Sequence, residues 1–227
     1  MKAMILAAGE GRRMLPLSQD TPKPLLTVGG KPLIVHLLEH LVRHGFDQIV
    51  INHARLGEQF EEILGNGQQF GACLRYSREG DTPLETGGGM LKALPLLDNA
   101  PFLAVSGDLY TNYPFSRLPK SLGGKLAHLV LTDNPPHHPA GDFVLNHGKL
   151  SLSGGDKLNF GGIGIYHPDL IKDRQLETFS IAPLLLKAAQ AGQISGEHYT
   201  GTWFNIGNPE QLKMLDGCLS EQSSDTR

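Results

Sequence analysis

Cysteine is nearly absent from this chain. Cys73 and Cys218 lie far apart in the sequence and in no ligand-like spacing, which argues against a disulfide scaffold or a thiolate metal centre. Reduced thiols are the expectation. A basic excess is also missing, with 20 Lys and Arg against 23 Asp and Glu and a formal net charge of -3. That balance lacks the cationic field of a nucleic-acid binder, so any functional arginine or lysine must act locally. No apolar run reaches the length that crosses a bilayer. Lys2 followed by Ala3 to Ala8 has the outline of a secretion signal. It is too short for the apolar core of one, and Arg12 and Arg13 stand where a cleavage site should be. These absences predict a cytoplasmic protein with neither nucleic acid nor membrane as partner.

With 227 residues the chain is long enough to bury a full core. One domain over 1–219 is expected, followed by a polar, disordered tail over 220–227. The stretch that organises the rest begins at Met4-Ile5-Leu6-Ala7-Ala8, an apolar run that reads as a buried parallel strand. It leads into Gly9-x-Gly11, a place for positive φ or close backbone approach, and then into Arg12-Arg13. Lys23 follows between Pro22 and Pro24, whose rings hold its flanks extended. Bare backbone N–H groups at a strand end, with cationic side chains around them, are what the oxygens of a polyphosphate require.

Strand and helix signals then alternate. Leucine-rich spacing from Leu33 to Val42, with Pro32 at its first position and Gly45 as its stop, predicts a helix. Its histidines His36, His40 and His44 read as a polar face rather than as metal ligands, because no carboxylate or cysteine accompanies them. Gln48 to Asn52 reads as a strand, Glu58 to Leu64 as a helix and Leu74 to Ser77 as a strand. This alternation predicts a doubly wound parallel sheet with a ligand across the carboxyl ends of its strands. Glu85-Thr86-Gly87-Gly88-Gly89 precedes a helix expected from Met90 to Leu97, so a base or ribose can lie flat on the glycine backbone. Pro101 to Val105 is a central strand that ends in Ser106-Gly107-Asp108, presenting a carboxylate suited to Mg²⁺ on a nucleoside triphosphate. Tyr110 and Tyr113 either line a pocket or pack under the sheet. Hairpin signals around Asn146-His147-Gly148, the glycine-laden strand Asn159 to Tyr166 and helices at Phe179–Ala191 and Pro209–Leu219 complete the reading.

The run LAAGEGRRMLPLS followed by TPKPL resembles the signature of the sugar-1-phosphate nucleotidylyltransferases, and the likeness extends along nearly the whole chain. It implies a Rossmann-like, doubly wound mixed sheet, the nucleotide-diphospho-sugar transferase fold. It also implies a small antiparallel sugar-binding subdomain contributed by about 126–166. The activity implied is Mg²⁺-dependent transfer of a nucleotidyl group, UMP from UTP or another NTP, to a sugar 1-phosphate. Within the family the likeness leans toward N-acetylmuramate 1-phosphate and cell-wall recycling. Guanylylation of mannose 1-phosphate or transfer to another hexose 1-phosphate is the alternative.

Carried over position by position, the resemblance makes Arg13 and Lys23 catalytic. It makes Leu6, Ala7, Ala8, Gly9, Gly11, Arg13, Lys23 and Gly88 nucleotide-binding. Glu85, Asp108, Asn112, Gly141, Asp142, Lys157, Gly161 and Gly162 become sugar-binding, with Lys149 a second choice for the sugar-phosphate lysine, and Asp108 and Asn205 become metal ligands. The usual family pattern W-x-D-x-G-T-P stands here as Trp203-Phe204-Asn205-Ile206-Gly207-Asn208-Pro209. A neutral carbonyl thus replaces a carboxylate, which admits a catalytically weak nucleotide-sugar binding protein as another reading. A Rossmann NAD enzyme fits poorly, since Met14 occupies the third glycine position and the second strand ends in Asn52-His53. No hexapeptide repeats follow, so the β-helix that some relatives append is not expected. The sequence does not specify the oligomeric state, and a monomer is compatible with it.

Overall fold

The computed structural model describes residues 1–224. Its strands are β1 (Ala3–Leu6), β2 (Thr27–Val28), β3 (Lys31–Pro32), β4 (Gln48–His53), β5 (Cys73–Arg78), β6 (Phe102–Ser106), β7 (Leu109–Thr111), β8 (Ala127–Thr132), β9 (Phe143–Asn146), β10 (Lys149–Ser151), β11 (Lys157–Tyr166), β12 (Ile194–His198) and β13 (Trp203–Asn205). Its α-helices are α1 (Leu33–Arg43), α2 (Glu58–Leu64), α3 (Glu85–Ala93), α4 (Ala182–Gln190) and α5 (Pro209–Ser224). Nine strands form one sheet in the order β5-β4-β1-β6-β11-β8-β12-β10-β9. β5, β4, β1 and β6 are mutually parallel. β11 runs antiparallel between β6 and β8, and β12 rejoins parallel to β8.

The apolar run at the start of the chain follows from burial on both faces of this sheet. Alternate side chains of a strand point to opposite faces. Ala3 and Ile5 join one core with Ile49, Ile51, Leu103, Val105 and the stripe Ile34, Leu37, Leu38 and Leu41 of α1. Met4 points the other way, into a second core with Val50, Phe102, Ala104, Met90 and Leu185. A third, smaller cluster of Met14, Val28, Leu33, Ile206 and Leu215 ties the first loop of the chain to its last helix. Among the described residues no helix is long and apolar enough to cross a membrane.

Several expectations shift. The region around 126–166 does not form a separate sheet: β8 and β11 lie inside the main sheet, and β9 closes back onto the start of β11. The three glycines sit inside α3 rather than ahead of it, and a 3₁₀ turn over Leu94–Leu97 replaces its expected end. Helix geometry survives there because Gly87 and Gly88 are packed under Phe179 and Glu177. Phe179 itself lies before α4, its N–H bonded to Leu84 and its C=O to Gly87 and Gly88. Pro32 precedes the first turn of α1 rather than filling it. Pro22 is extended as expected, but Lys23 opens a 3₁₀ turn over Lys23–Leu25. α5 runs on to Ser224, past the expected boundary at Leu219, and residues 225–227 of the expected tail lie outside the described residues.

The polar face of the α1 histidines is turned to the chain. His36 Nε2 meets the Val28 carbonyl and His40 Nε2 the Tyr113 carbonyl, each at 2.8 Å, which fastens α1 to two loops. Burial holds both imidazoles below the ordinary histidine range, and the bonded carbonyls offset it only in part. Tyr113 is fully buried with its hydroxyl donating to Glu197, so it packs under the sheet.

Candidate active site

The carboxyl ends of β1, β4 and β6 open into a cleft of about 500 Å³. One wall is the loop after β1, from Leu6 to Gly11; the other is Thr82, Pro83, Glu85 and Thr86 with Thr178 beside them. Lys23, Asn52, Ser106 and Asp108 form its floor and end. Among the described residues the N–H groups of Ala8, Gly9, Glu10 and Gly11 have no protein acceptor. Gly11 adopts φ 65°, and a Cβ there would lie 3.2 Å from the Lys23 Cβ. Glycine is therefore needed twice over at this position, for its conformation and for the approach of Lys23. A Cβ on Gly9 would meet nothing within 4 Å, so that backbone is open to the cleft.

Gly107 donates its N–H to the Leu6 carbonyl at 2.8 Å, so the ends of β1 and β6 lie together and Asp108 turns into the cleft. There its carboxylate pairs with Lys23 Nζ at 2.5 Å, the two side chains 24% and 13% exposed. The short antiparallel ribbon of β7 and β13 brings Asn205 opposite Leu109, and Ile206 donates to the Asp108 carbonyl at 2.9 Å. Asn205 Oδ1 is buried without a hydrogen-bond partner. An orphaned carbonyl oxygen at the end of β13 and a carboxylate just before β7, on strands paired at this point, are donors of the kind a hard divalent cation accepts. Arg13 is exposed and lies outside the cleft lining, with Nη1 3.6 Å from where a Cβ on Gly207 would be.

The other expected residues are spread more widely. Leu6, Ala7, Ala8, Gly9, Gly11, Lys23, Glu85 and Asp108 line the cleft together. Glu85 does so from φ 57°, a conformation uncommon outside glycine. Gly88 does not line it: a Cβ there would press on Leu84 at 2.9 Å and on the Glu177 carbonyl. Asn112 is exposed beyond the ribbon and accepts from the Tyr199 hydroxyl. Asp142 bonds to the chain itself, accepting from the Phe160 N–H at 2.7 Å and meeting His138 at 3.1 Å. Gly141 sits against the Lys157 carbonyl, and that carbonyl also accepts from Asn134 Nδ2 at 2.8 Å. Lys149 is exposed on the β9–β10 hairpin. Gly161 and Gly162 form a bulge in β11. The Trp203 indole donates to the Gly161 carbonyl at 2.9 Å, and Gly162, at φ 72°, leaves room for the Ser106 hydroxyl, which a Cβ would meet at 2.8 Å.

Residues 2–143 match the nucleotidyl transferase family model. The chain belongs to the nucleotidyl transferase family. The enzyme is 45% identical over 224 residues to N-acetylmuramate alpha-1-phosphate uridylyltransferase of Neisseria meningitidis, an alignment that covers 94% of this chain and 96% of the relative. It is 30% identical to the protein of the same name from Caulobacter vibrioides, covering 96% and 97%. In fold it is similar to HddC from Yersinia pseudotuberculosis complexed with GMP-PN, with a TM-score of 0.80 at 21% identity over 96% of this chain and 98% of that one.

Sequence reasoning missed two residues of this site. Asn52 and Glu79 are 2% and 8% exposed and join the two walls of the cleft. A signal for them exists: both are polar residues at or just after the carboxyl ends of parallel strands, where a sheet of this kind has its binding crevice.

Proposed function

We propose that this enzyme transfers UMP from UTP to N-acetylmuramate 1-phosphate, giving the UDP-sugar and pyrophosphate in cytoplasmic cell-wall recycling. In this reading residues 1–219 act as one catalytic domain, and 126–166 cover the sugar phosphate. One observation carries it: a cleft with free backbone N–H groups on one wall ends at the Lys23–Asp108 pair, in a chain alike from end to end to an enzyme of that name.

A phosphate oxygen of the sugar 1-phosphate attacks the α-phosphorus of UTP in line. The bond from that phosphorus to the α,β-bridging oxygen breaks, and pyrophosphate leaves with the electron pair. The attacking oxygen is already ionised, so positioning and charge neutralisation carry the reaction. The N–H groups of Ala8 to Gly11 receive the phosphate oxygens. Lys23 leaves Asp108 for the α-phosphate and neutralises the charge that gathers there. Arg13 turns from Gly207 to hold the leaving pyrophosphate. Asp108 and the orphaned Asn205 oxygen would hold Mg²⁺, which when bound supplies further charge neutralisation at the α-phosphate. Glu85 and Ser106 face the nucleoside and sugar from the cleft lining, with the Gly161–Gly162 bulge behind Ser106.

The test is pyrophosphate release with Mg²⁺, crossing UTP, GTP, dTTP and CTP with the 1-phosphates of N-acetylmuramate, N-acetylglucosamine, mannose and glucose. A dominant signal from UTP with N-acetylmuramate 1-phosphate is expected. A dominant signal from GTP with mannose 1-phosphate would move the enzyme to guanylylation. Silence across the grid would leave a nucleotide-sugar binding protein.

A further inference from the structure

The two walls of the cleft come from separate parts of the chain, and one buried hydrogen-bond relay joins them. The Ala7 N–H, at the root of the phosphate-side wall, donates to Asn52 Oδ1 at 2.9 Å. Asn52 Nδ2 donates to Glu79 Oε1 at 2.6 Å. Glu79 Oε2 accepts from the Leu84 N–H at 2.6 Å, one residue before Glu85 enters the cleft with its left-handed backbone. The polarity of this relay is fixed at both ends. Ala7 and Leu84 offer only backbone donors, so the amide of Asn52 can point just one way, and both oxygens of Glu79 must accept. Gly89 borders the relay, since a Cβ there would lie 2.8 Å from Asn52 Nδ2 and displace it.

We infer that Asn52 and Glu79 are positioning residues that set the separation and register of the nucleotide-binding walls. This rests on the reading of the cleft as a nucleotide site. Neither residue is placed at the reacting phosphorus. Their effect is on how well a nucleoside triphosphate spans from the Ala8–Gly11 amides to the turn at Thr82–Glu85. A fixed distance between these two sets of contacts lets one ligand satisfy both without ordering the walls at the moment of binding.

The fixed polarity makes the relay testable. In Glu79→Gln one N–H is forced against another, because turning either amide only moves the conflict along the relay. In Asn52→Asp two carboxylate oxygens are forced together. Combining the two substitutions restores every donor–acceptor pair and the total charge. The carboxylate introduced at position 52 then accepts from the Ala7 N–H and from the amide introduced at position 79. The oxygen of that amide accepts in turn from the Leu84 N–H. The expected result for Glu79→Gln is a UTP KM raised roughly tenfold with kcat within about twofold of wild type. Exchange of the Ala7 and Leu84 amide protons, followed by NMR without ligand, should quicken by a similar factor. The double variant should return the KM to within about threefold and restore amide protection.

An unchanged UTP KM and unchanged exchange in Glu79→Gln would overturn the proposal. So would a double variant no better than either single one. If Glu79→Gln fails to fold, recovery of a folded, UTP-binding protein in the double variant supports the relay, and a double variant that also fails to fold overturns it. Wild-type protein with no affinity for UTP would defeat the uridylyl reading instead, while the exchange measurement still decides whether the relay holds the two walls.

Discussion

The proposed nucleotide end and sugar end of this site are built by different means. At the nucleotide end the contacts come from backbone at strand termini, from one ion pair between Lys23 and Asp108, and from a loop only a few residues long. At the sugar end the polar groups are turned inward on the chain. Asp142 and Asn134 tie the connection between β8 and β9 to β11, Asn112 is held by Tyr199, and Trp203 caps the bulge at Gly161. A triphosphate is recognised by repeated, closely spaced oxygens, which a short stretch of backbone can match. The sugar end is assembled from positions spread between 106 and 203, each depending on the packing of its neighbours. Local sequence therefore describes the first end far better than the second.

The largest expected effect tests the nucleotide end. Lys23→Ala should lower turnover by about a thousandfold or more while nucleotide affinity changes by less than about tenfold, since its proposed role is at the transferring phosphorus. Steady-state kinetics beside equilibrium titration with UTP separate the two, and near-normal turnover would remove Lys23 from the chemistry. Next in size, Asn205→Asp should lower the half-saturating Mg²⁺ concentration about fivefold or more, because a second carboxylate would then join Asp108 in the proposed donor set. Calorimetric titration of Mg²⁺ without nucleotide gives the same comparison independent of activity, and unchanged affinity would mean that the orphaned oxygen does not face the metal.

The sugar end should respond in stability before it responds in chemistry. Asp142→Ala leaves the Phe160 N–H without its acceptor, which should cost about 1–2 kcal/mol. The urea midpoint should fall while UTP affinity stays the same; a loss of sugar-phosphate affinity at full stability would instead give Asp142 a direct contact. The smallest effect concerns pH. His36, His40, His53 and His128 are all held below the ordinary histidine value of about 6.5 by burial. Below that value the unfolded chain binds protons that the folded one refuses. Stability is then complete above about pH 7 and declines as pH falls through 6.5 toward the lowered values. His40→Gln should flatten this decline in urea titrations at about pH 7.5 and 5.5. An unaltered slope would mean that the His40 imidazole does not contribute to it.

The legibility of the sequence follows the same division. The strand at Met4, the glycine loop, Lys23 and Asp108 are readable because each depends on neighbours within a few positions. The order of the sheet is less so: β11 enters antiparallel between β6 and β8, a choice made by packing over long separations. The glycines of α3 mislead for a related reason. They read as a bare backbone on which a base or ribose can lie, yet Phe179 and Glu177 rest against Gly87 and Gly88, and nothing near them in sequence announces that contact. The α1 histidines read as a polar face, and periodicity does not tell whether solvent or a loop carbonyl meets it.

The cluster behind the signature loop bears on biosynthesis. Met14 and Val28, at the two ends of the loop that carries Lys23, are buried against Ile206 and Leu215, and Gly29 donates to Asp216 on α5. A ribosome makes the loop near the beginning and its backing near the finish. On the nascent chain the loop can already be held by Arg55, Gln59 and Asp108, while the side that packs on Ile206 and Leu215 is still uncovered. The packing of the residues translated first is therefore complete only after those from about position 206 to 216 have left the exit tunnel.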